Sequence, residues 1–172
     1  LHRNEHSIEF QVLFLAHALG LDGYEIAPIL ISSFHEMVAR DVPPVSEPRV
    51  GGFIDALAGE IAAERRRVLI IAGVDFAHIG KKFGDEFAVD EAAARRLKRD
   101  DLEMVEYIKN GDAAGFFSSI ARDHDRRRIC GLAPIYTQLQ LLGGREARLL
   151  MYDIAIEPQS GSAVSFASLT IA

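Results

Sequence analysis

Residues 68–83 decide the predicted fold, and they read Val-Leu-Ile-Ile-Ala-Gly-Val-Asp-Phe-Ala-His-Ile-Gly-Lys-Lys-Phe. It begins with an unbroken apolar run, Val68–Ala72, and such a run is typical of a strand that is covered on both faces. The run breaks at Gly73, and Asp75 and His78 follow. Because ligands bind outside the carboxyl ends of the strands in open α/β sheets, these two polar side chains are candidates for chemistry.

Segments of helical and of strand character alternate along the rest of the chain. Helices are predicted over residues 4–19, 46–66, 85–110 (with a break near residue 99) and 112–120, and a further helix is predicted to end at residue 142. Strands are predicted over 25–32, 148–156 and 163–171, and a loop over 33–45, where Pro43 and Pro44 disfavour regular structure. This order predicts an α/β protein: a three-layer α/β/α domain with a mixed, mainly parallel sheet that ends in an antiparallel hairpin.

Length, charge and cysteine content narrow the class of protein. The 172 residues suffice for one domain, which we expect to span residues 1–172, and the formal charge of −6 argues against a nucleic-acid binder. A single cysteine favours a reducing, cytoplasmic compartment, and no apolar run approaches the roughly 18 residues that a membrane span needs. The chain starts at Leu1 in what resembles the middle of a folded protein, so we expect an N-terminal portion to be missing.

The first candidate group is Glu5 with His6, at the start of the first predicted helix. His2 and His6 are four residues apart, a spacing that lets two histidines bind a metal from one helical face. The alternative is an ordinary helix start, capped by Asn4, with Glu5 and Glu9 near the positive end of the helix dipole.

The second candidate group is Asp75 with His78. A carboxylate next to a histidine favours the imidazolium and orients the ring, which suits acid–base chemistry. The alternative is that Asp75 caps the next turn and that His78 is only partly exposed.

The third candidate is Cys130, which follows the arginine run 126–128 and precedes a predicted helix. A thiolate is stabilised near a helix N-terminus, so Cys130 is a candidate ligand or nucleophile. The alternative is a small buried hydrophobic residue, which is the commonest role of a lone cysteine.

Three short strings carry a resemblance to a known family. They are Glu-His-Ser-Ile-Glu at 5–9, Asp-Phe-Ala-His-Ile-Gly at 75–80 with Phe83, and Ile-Cys-Gly at 129–131 with Pro134 and Ile135. In this order they resemble the Memo family, whose bacterial and archaeal members are often called AmmeMemoRadiSam system protein B. That family is similar in fold to the class III extradiol dioxygenases, and the resemblance extends from Glu5 to the C-terminal strands.

The resemblance implies a pocket like a metal site, built in the family from two histidines and one cysteine. By this likeness Cys130 is a metal ligand, His78 takes the place of the acid–base histidine, and Asp75, Glu5 and His6 line the pocket. The two metal-binding histidines of the family lie in an N-terminal portion that this chain does not contain. A site for a transition metal (iron, copper or zinc) is therefore expected to be incomplete in this chain.

Three functions are compatible with these residues. The first is a Memo-like metal-binding protein with a dioxygenase-like pocket, redox-linked and, if active, a non-haem metal oxidoreductase of the extradiol-dioxygenase type. The second is a non-catalytic adaptor that binds a peptide or small molecule in the same pocket. The third is a metal-free hydrolase that uses Cys130 with a histidine base. The expected partners are a small-molecule or peptide ligand and a second copy of the chain in a homo-oligomer, with neither nucleic acid nor membrane.

Overall fold

The computed structural model describes residues 6–171, which fall into two compact units that divide between Ser32 and Ser33. The first unit contains helix α1, His6–Leu19. The helix ends at Gly20, whose N–H donates to the carbonyl of Ala16 (3.0 Å) and whose φ of 87° suits a glycine at a helix C-terminus. The first predicted helix is thus confirmed over these residues, while Asn4, its expected cap, lies outside the described part of the chain.

The strand predicted over residues 25–32 of the first unit is wrong, because this segment adopts no regular secondary structure. Pro28 cannot donate a ladder hydrogen bond, and a strand is stable only when a neighbour supplies the other half of its hydrogen bonds.

Helices dominate the second unit. They are α2 (His35–Arg40), α3 (Pro48–Ala63), α4 (Glu91–Lys109), α5 (Ala113–Ala121) and α6 (Leu132–Leu142), with short 3₁₀ turns at Pro44–Ser46 and Lys81–Phe83. Asp112 caps α5 as predicted, accepting a hydrogen bond from the N–H of Gly115 (2.8 Å). Asp90 caps α4 in the same way through the N–H of Ala93 (2.7 Å). Local cap signals therefore set where these two helices begin.

Three predicted boundaries are wrong. Helix α4 begins only at Glu91 and runs without the break expected near residue 99. Ser46 does not cap α3, because it lies in the preceding 3₁₀ turn and Glu47 occupies the cap position. Helix α2 lies where a loop was predicted: the proline pair 43–44 follows this helix and so does not interrupt it.

The sheet formed by the described residues has three strands, β1 (His78–Gly80), β2 (Ala147–Glu157) and β3 (Ser162–Ile171), in the order β1-β3-β2. Both pairs are antiparallel, with Val164 of β3 opposite His78 on one side and Ala155 on the other. The helices and sheet confirm the α/β class, and the C-terminal hairpin is confirmed. The expectation of a mainly parallel sheet is wrong for residues 6–171.

The apolar run Val68–Ala72 is not a strand, contrary to its pattern. Leu69 is 74% exposed and Val68 47% exposed, so neither face of the run is covered in the way that its composition predicts. The side-chain amide of Gln138 on α6 donates to the carbonyl of Ile70 (2.9 Å). A strand needs a continuous ladder, and within the described residues no strand pairs with this run.

The core of the second unit lies where α4, α5 and α6 meet. Phe116, Phe117 and Tyr136 are almost completely buried, and the rings of Phe117 and Tyr136 meet edge to face at 6.0 Å. Helix α4 contributes a buried stripe at a spacing of three and four residues, which consists of Ala93, Leu97, Asp101, Met104, Val105 and Ile108. One member of this stripe is a carboxylate, and it faces the sheet. Among residues 6–171, no helix is long and apolar enough to cross a bilayer.

Candidate functional site

Backbone hydrogen bonds bring two distant segments of the chain side by side, residues 75–78 and residues 127–131. The N–H of His78 donates to the carbonyl of Arg127 (2.7 Å), and the N–H of Cys130 donates to that of Phe76 (3.1 Å). The N–H of Gly131 donates to the carbonyl of Asp75 (2.9 Å). The second and third candidate groups of the sequence are therefore neighbours in the fold. We call the paired segments that carry Asp75, His78 and Cys130 the 75/78/130 face.

Strand β3 supports the other side of the 75–78 segment. The N–H of Phe76 donates to the carbonyl of Ser165 (2.8 Å), and the N–H of Ser165 donates to that of Ala77 (3.0 Å). Phe76 and Ala77 are buried, whereas His78 is half-buried and Asp75 and Cys130 are exposed. The backbone is thus fixed from both sides while the candidate side chains stay accessible.

Close approach of the two segments depends on Gly131. A Cβ atom added at this position would lie 2.7 Å from the carbonyl oxygen of Asp75 and 2.9 Å from Cγ2 of Val74. Both distances are shorter than van der Waals contact, so a side chain here would push the segments apart.

The ring of His78 has a distinct neighbour at each nitrogen. Nε2 lies 3.7 Å from Oδ2 of Asp75, and Nδ1 lies 3.3 Å from the backbone carbonyl oxygen of Arg128. The ring of Phe83 meets that of His78 edge to face, with centroids 5.0 Å apart. Because Asp75 can stabilise a positive charge on the ring, this arrangement suits a group that accepts and releases protons. The hydrolase hypothesis, which pairs Cys130 with a histidine base, stays a prediction.

The arginine run 126–128 is divided among three carboxylates. Arg126 lies 3.8 Å from Asp123 on the surface, Arg127 pairs with Asp101 in the interior, and Arg128 donates to both carboxylate oxygens of Asp85 (2.8 and 3.1 Å). The hydrogen bond from Arg128, together with its charge, holds the pKa of the Asp85 carboxyl below its usual value. The run is thus a set of structural ion pairs beside the face.

A buried polar network lies beneath the face, centred on Asp101 of α4. The carboxylate accepts hydrogen bonds from the hydroxyls of Ser165 and Tyr152 (2.8 Å for Tyr152) and pairs with Arg127. Ser165 also accepts the N–H of Ala77 (3.0 Å), so the network reaches the 75–78 backbone. Burial raises the pKa of the Asp101 carboxyl, against the opposing effect of its hydrogen-bond donors, and burial likewise raises the pKa of Tyr152.

Sequence reasoning did not identify Asp101, although a signal was present. Asp101 lies four residues after Leu97 and three before Met104, which places a carboxylate in the centre of an apolar helical stripe. A buried charge needs a partner, so this position predicts a polar contact across the core. No comparable pattern marks Asp85.

The structure groups some of the candidate residues and leaves the others as predictions. Glu5 lies outside the described residues, and His6 belongs to the first unit, where its ring meets that of Phe10 edge to face (6.0 Å). Their membership of one pocket with Asp75 and His78 stays a prediction.

The described residues do not fit a complete transition-metal site. Within 6–171, no group of three or more His, Cys, Asp or Glu side chains is arranged to hold a metal ion. A transition metal in a protein is commonly held by at least three such ligands. These residues therefore supply no complete ligand set of their own, and the role of Cys130 as a ligand stays a prediction.

The fold defines an α/β protein in which the backbone segments of Asp75, His78 and Cys130 pair beside a small antiparallel sheet. Its sequence matches the model of the family described as Memo-like protein over residues 1–170, and the chain belongs to the Memo family.

Similar proteins occur in bacteria and archaea. A MEMO1 family protein of Aquifex aeolicus is 30% identical over 171 residues, which cover 98% of this chain and 40% of the relative. A MEMO1 family protein of Methanosarcina mazei is 31% identical over 154 residues, or 88% of this chain and 48% of the relative. One from Methanocaldococcus jannaschii is 31% identical over 159 residues, with 88% and 46% covered. The chain thus spans about half the length of the curated relatives that it matches.

Proposed function

We propose that the 75/78/130 face is the functional site of this Memo-family chain and that it binds a small hydroxylated aromatic molecule, with His78 exchanging a proton with the bound hydroxyl. The observation that supports this most directly is the backbone pairing of segments 75–78 and 127–131, which brings the backbone of Asp75 and His78 beside that of Cys130. Cys130 lies more than fifty residues along the chain from Asp75 and His78.

Each side chain has a defined part in this proposal. His78 accepts the proton of the bound hydroxyl, and Asp75, 3.7 Å from Nε2, stabilises the imidazolium that results. Phe83 supplies an apolar wall beside the ring of His78 for an aromatic ligand. Cys130 is exposed, and the hydrogen bond from its N–H to the carbonyl of Phe76 holds it beside the segment that carries His78. The resemblance to extradiol dioxygenases supports the choice of a catechol-like ligand.

Binding of 4-nitrocatechol tests the proposal, because the absorption spectrum of this compound reports its own deprotonation. We expect the protein to bind it and to shift its spectrum towards the anion. His78→Asn should weaken binding of the anion about tenfold or more, because a hydrogen bond to a charged group contributes about 1.5–3 kcal/mol. His124→Asn is the matched control, because His124 is exposed and its φ of 57° is one that asparagine tolerates.

Two results would overturn the proposal. One is a wild-type protein that leaves the spectrum of 4-nitrocatechol unchanged at millimolar concentration. The other is a His78→Asn variant that binds the compound and shifts its spectrum as the wild type and His124→Asn do.

A further inference from the structure

The environment of His78 Nδ1 determines which of its nitrogens carries the proton. Nδ1 lies 3.3 Å from the carbonyl oxygen of Arg128. A carbonyl can only accept a hydrogen bond. The Asp75 carboxylate also only accepts, but its Oδ2 lies 3.7 Å from Nε2, beyond hydrogen-bond distance, so the neutral ring makes its shorter polar contact a hydrogen bond when the proton is on Nδ1. Nε2 then carries the lone pair, on the side of Asp75. Free histidine side chains favour the opposite tautomer, with the proton on Nε2, and the fold must therefore hold this carbonyl in place.

The carbonyl of Arg128 is aimed by an unusual backbone conformation. Arg128 has a φ of 54°, in the left-handed region, which costs a residue with a side chain about 1 kcal/mol. Its N–H donates to the carbonyl of Asp125 (2.8 Å), and Asp125 is itself left-handed with a φ of 52°. An arginine stays in this conformation only where other contacts compensate.

The side chain of Arg128 supplies those contacts. Its guanidinium donates to both oxygens of Asp85 (2.8 and 3.1 Å) and to the carbonyl of His78 (3.2 Å). Asp85 in turn accepts the N–H of Gly80 at the end of β1 (2.8 Å). The ion pair therefore links the segment that carries His78 to the residue whose carbonyl faces the ring.

We propose that Asp85 and Arg128 are positioning residues, which hold His78 in the tautomer protonated on Nδ1 and so leave Nε2 as the proton acceptor of the 75/78/130 face. The inference rests on the proposed function for the use of His78, but the tautomer itself exists without a ligand. Asp85 is 13% exposed at its side chain and Arg128 is 39% exposed, so the pair is partly shielded from solvent. Bidentate arginine–carboxylate geometry gives such a pair a defined orientation.

The test is the nitrogen spectrum of the full chain labelled with ¹⁵N-histidine, recorded at a pH where His78 is neutral. The His78 signals are assigned as those lost in His78→Asn. We expect the wild type to show the pattern of the Nδ1-protonated ring. Asp85→Asn and Arg128→Gly should both shift His78 towards the Nε2-protonated form, since each removes the ion pair. Glycine at 128 also tolerates the left-handed backbone, which keeps this variant foldable.

Matched controls separate tautomer control from general damage. Glu86→Gln removes an exposed charge next to Asp85 and should leave the His78 pattern unchanged, as should Arg126→Ala. The inference is overturned if wild-type His78 is protonated on Nε2, or if Asp85→Asn keeps the wild-type pattern. The result is independent of 4-nitrocatechol: a wild type that fails to bind the compound but keeps the Nδ1-protonated ring overturns the proposed function alone.

Discussion

Arg127→Met should destabilise the second unit far more than its position in a surface-like arginine run suggests. The Arg127 side chain is 8% exposed and that of Asp101 is 0% exposed. Arg127→Met therefore leaves a fully buried carboxylate without its arginine partner. Breaking one side of a buried pair costs about 3–5 kcal/mol. The hydroxyls of Ser165 and Tyr152 remain as donors, which places the expected loss near the lower end, about 3 kcal/mol.

The stability lost in Arg127→Met should depend on pH, because the Asp101 carboxyl is buried. Burial raises the pKa of the Asp101 carboxyl above 3.8, so the folded state binds this proton more tightly than the unfolded chain does. Without the positive charge of Arg127, the folded-state pKa of Asp101 rises further. The penalty of Arg127→Met is then complete above the folded-state pKa that Asp101 has in the variant, and it shrinks as the pH falls from there to the folded-state pKa of Asp101 in the wild type.

Urea unfolding followed by far-ultraviolet circular dichroism measures the effect, near neutral pH and again in mild acid. Arg126→Met is the matched control, because Arg126 is 72% exposed and should change the free energy of unfolding by less than about 0.5 kcal/mol. The double variant Asp101→Asn with Arg127→Met carries no buried charge and should be more stable than Arg127→Met alone. The reasoning is refuted if Arg127→Met costs no more than Arg126→Met, or if the double variant is the less stable of the two.

Three further predictions concern the face and its supports. Asp85→Asn should cost about 1–2 kcal/mol near neutral pH. Because the pKa of Asp85 is lowered in the folded state, its contribution to stability is complete above pH 3.8 and is lost as the pH falls through its folded-state pKa. Thermal unfolding in which Asp85→Asn differs from the wild type by the same amount at every pH would contradict this. Gly131→Ala should lower the free energy of unfolding in urea by about 1–3 kcal/mol, because the added methyl group overpacks the site. Its control is Gly52→Ala on α3, where an added Cβ would meet no other atom of the described residues within 4 Å; this variant should be more stable by about 0.5 kcal/mol. After dialysis against a chelator, elemental analysis should find well under one transition-metal ion per chain; one ion in the wild type that is lost in Cys130→Ala would assign Cys130 as a ligand.

The elements that the sequence predicted well are those with local signals. Helix α5 begins at the cap Asp112, and α6 ends at Gly143, whose φ of 60° is the left-handed conformation expected there. The hairpin of β2 and β3 follows from two apolar stretches around a turn with Gly161. Each of these signals lies within a few residues of the element that it defines.

The elements that the sequence predicted badly depend on distant partners. The run Val68–Ala72 has the composition of a buried strand, but a strand also needs a neighbour to complete its ladder, and composition does not report one. The strand predicted over residues 25–32 is wrong for the same reason: its composition does not report a neighbouring strand. Helix α2 was missed because six residues are too few to establish a periodicity.

The candidate site divides in the same way. Asp75, His78 and Cys130 were predicted together because their strings follow one another in the order that the Memo family shows, and the backbone pairing places their segments side by side. Their supports escaped prediction, since Asp85 and Arg128 are 43 residues apart and no periodic pattern relates them. Asp101 could have been found from its place in an apolar stripe, but its partner Arg127 could not.

Asp101 and Asp85 both support the 75–78 segment, but their surroundings shift their pKa values in opposite directions. The two carboxylates should therefore become protonated at different pH values. Burial raises the pKa of Asp101, whereas the Arg128 guanidinium lowers that of Asp85. On acidification, Asp101 therefore becomes neutral first and weakens its pair with Arg127, while the pair of Asp85 with Arg128 persists to lower pH. Because the second pair is the one that aims a carbonyl at His78, the orientation of the imidazole should outlast the buried ion pair beneath it.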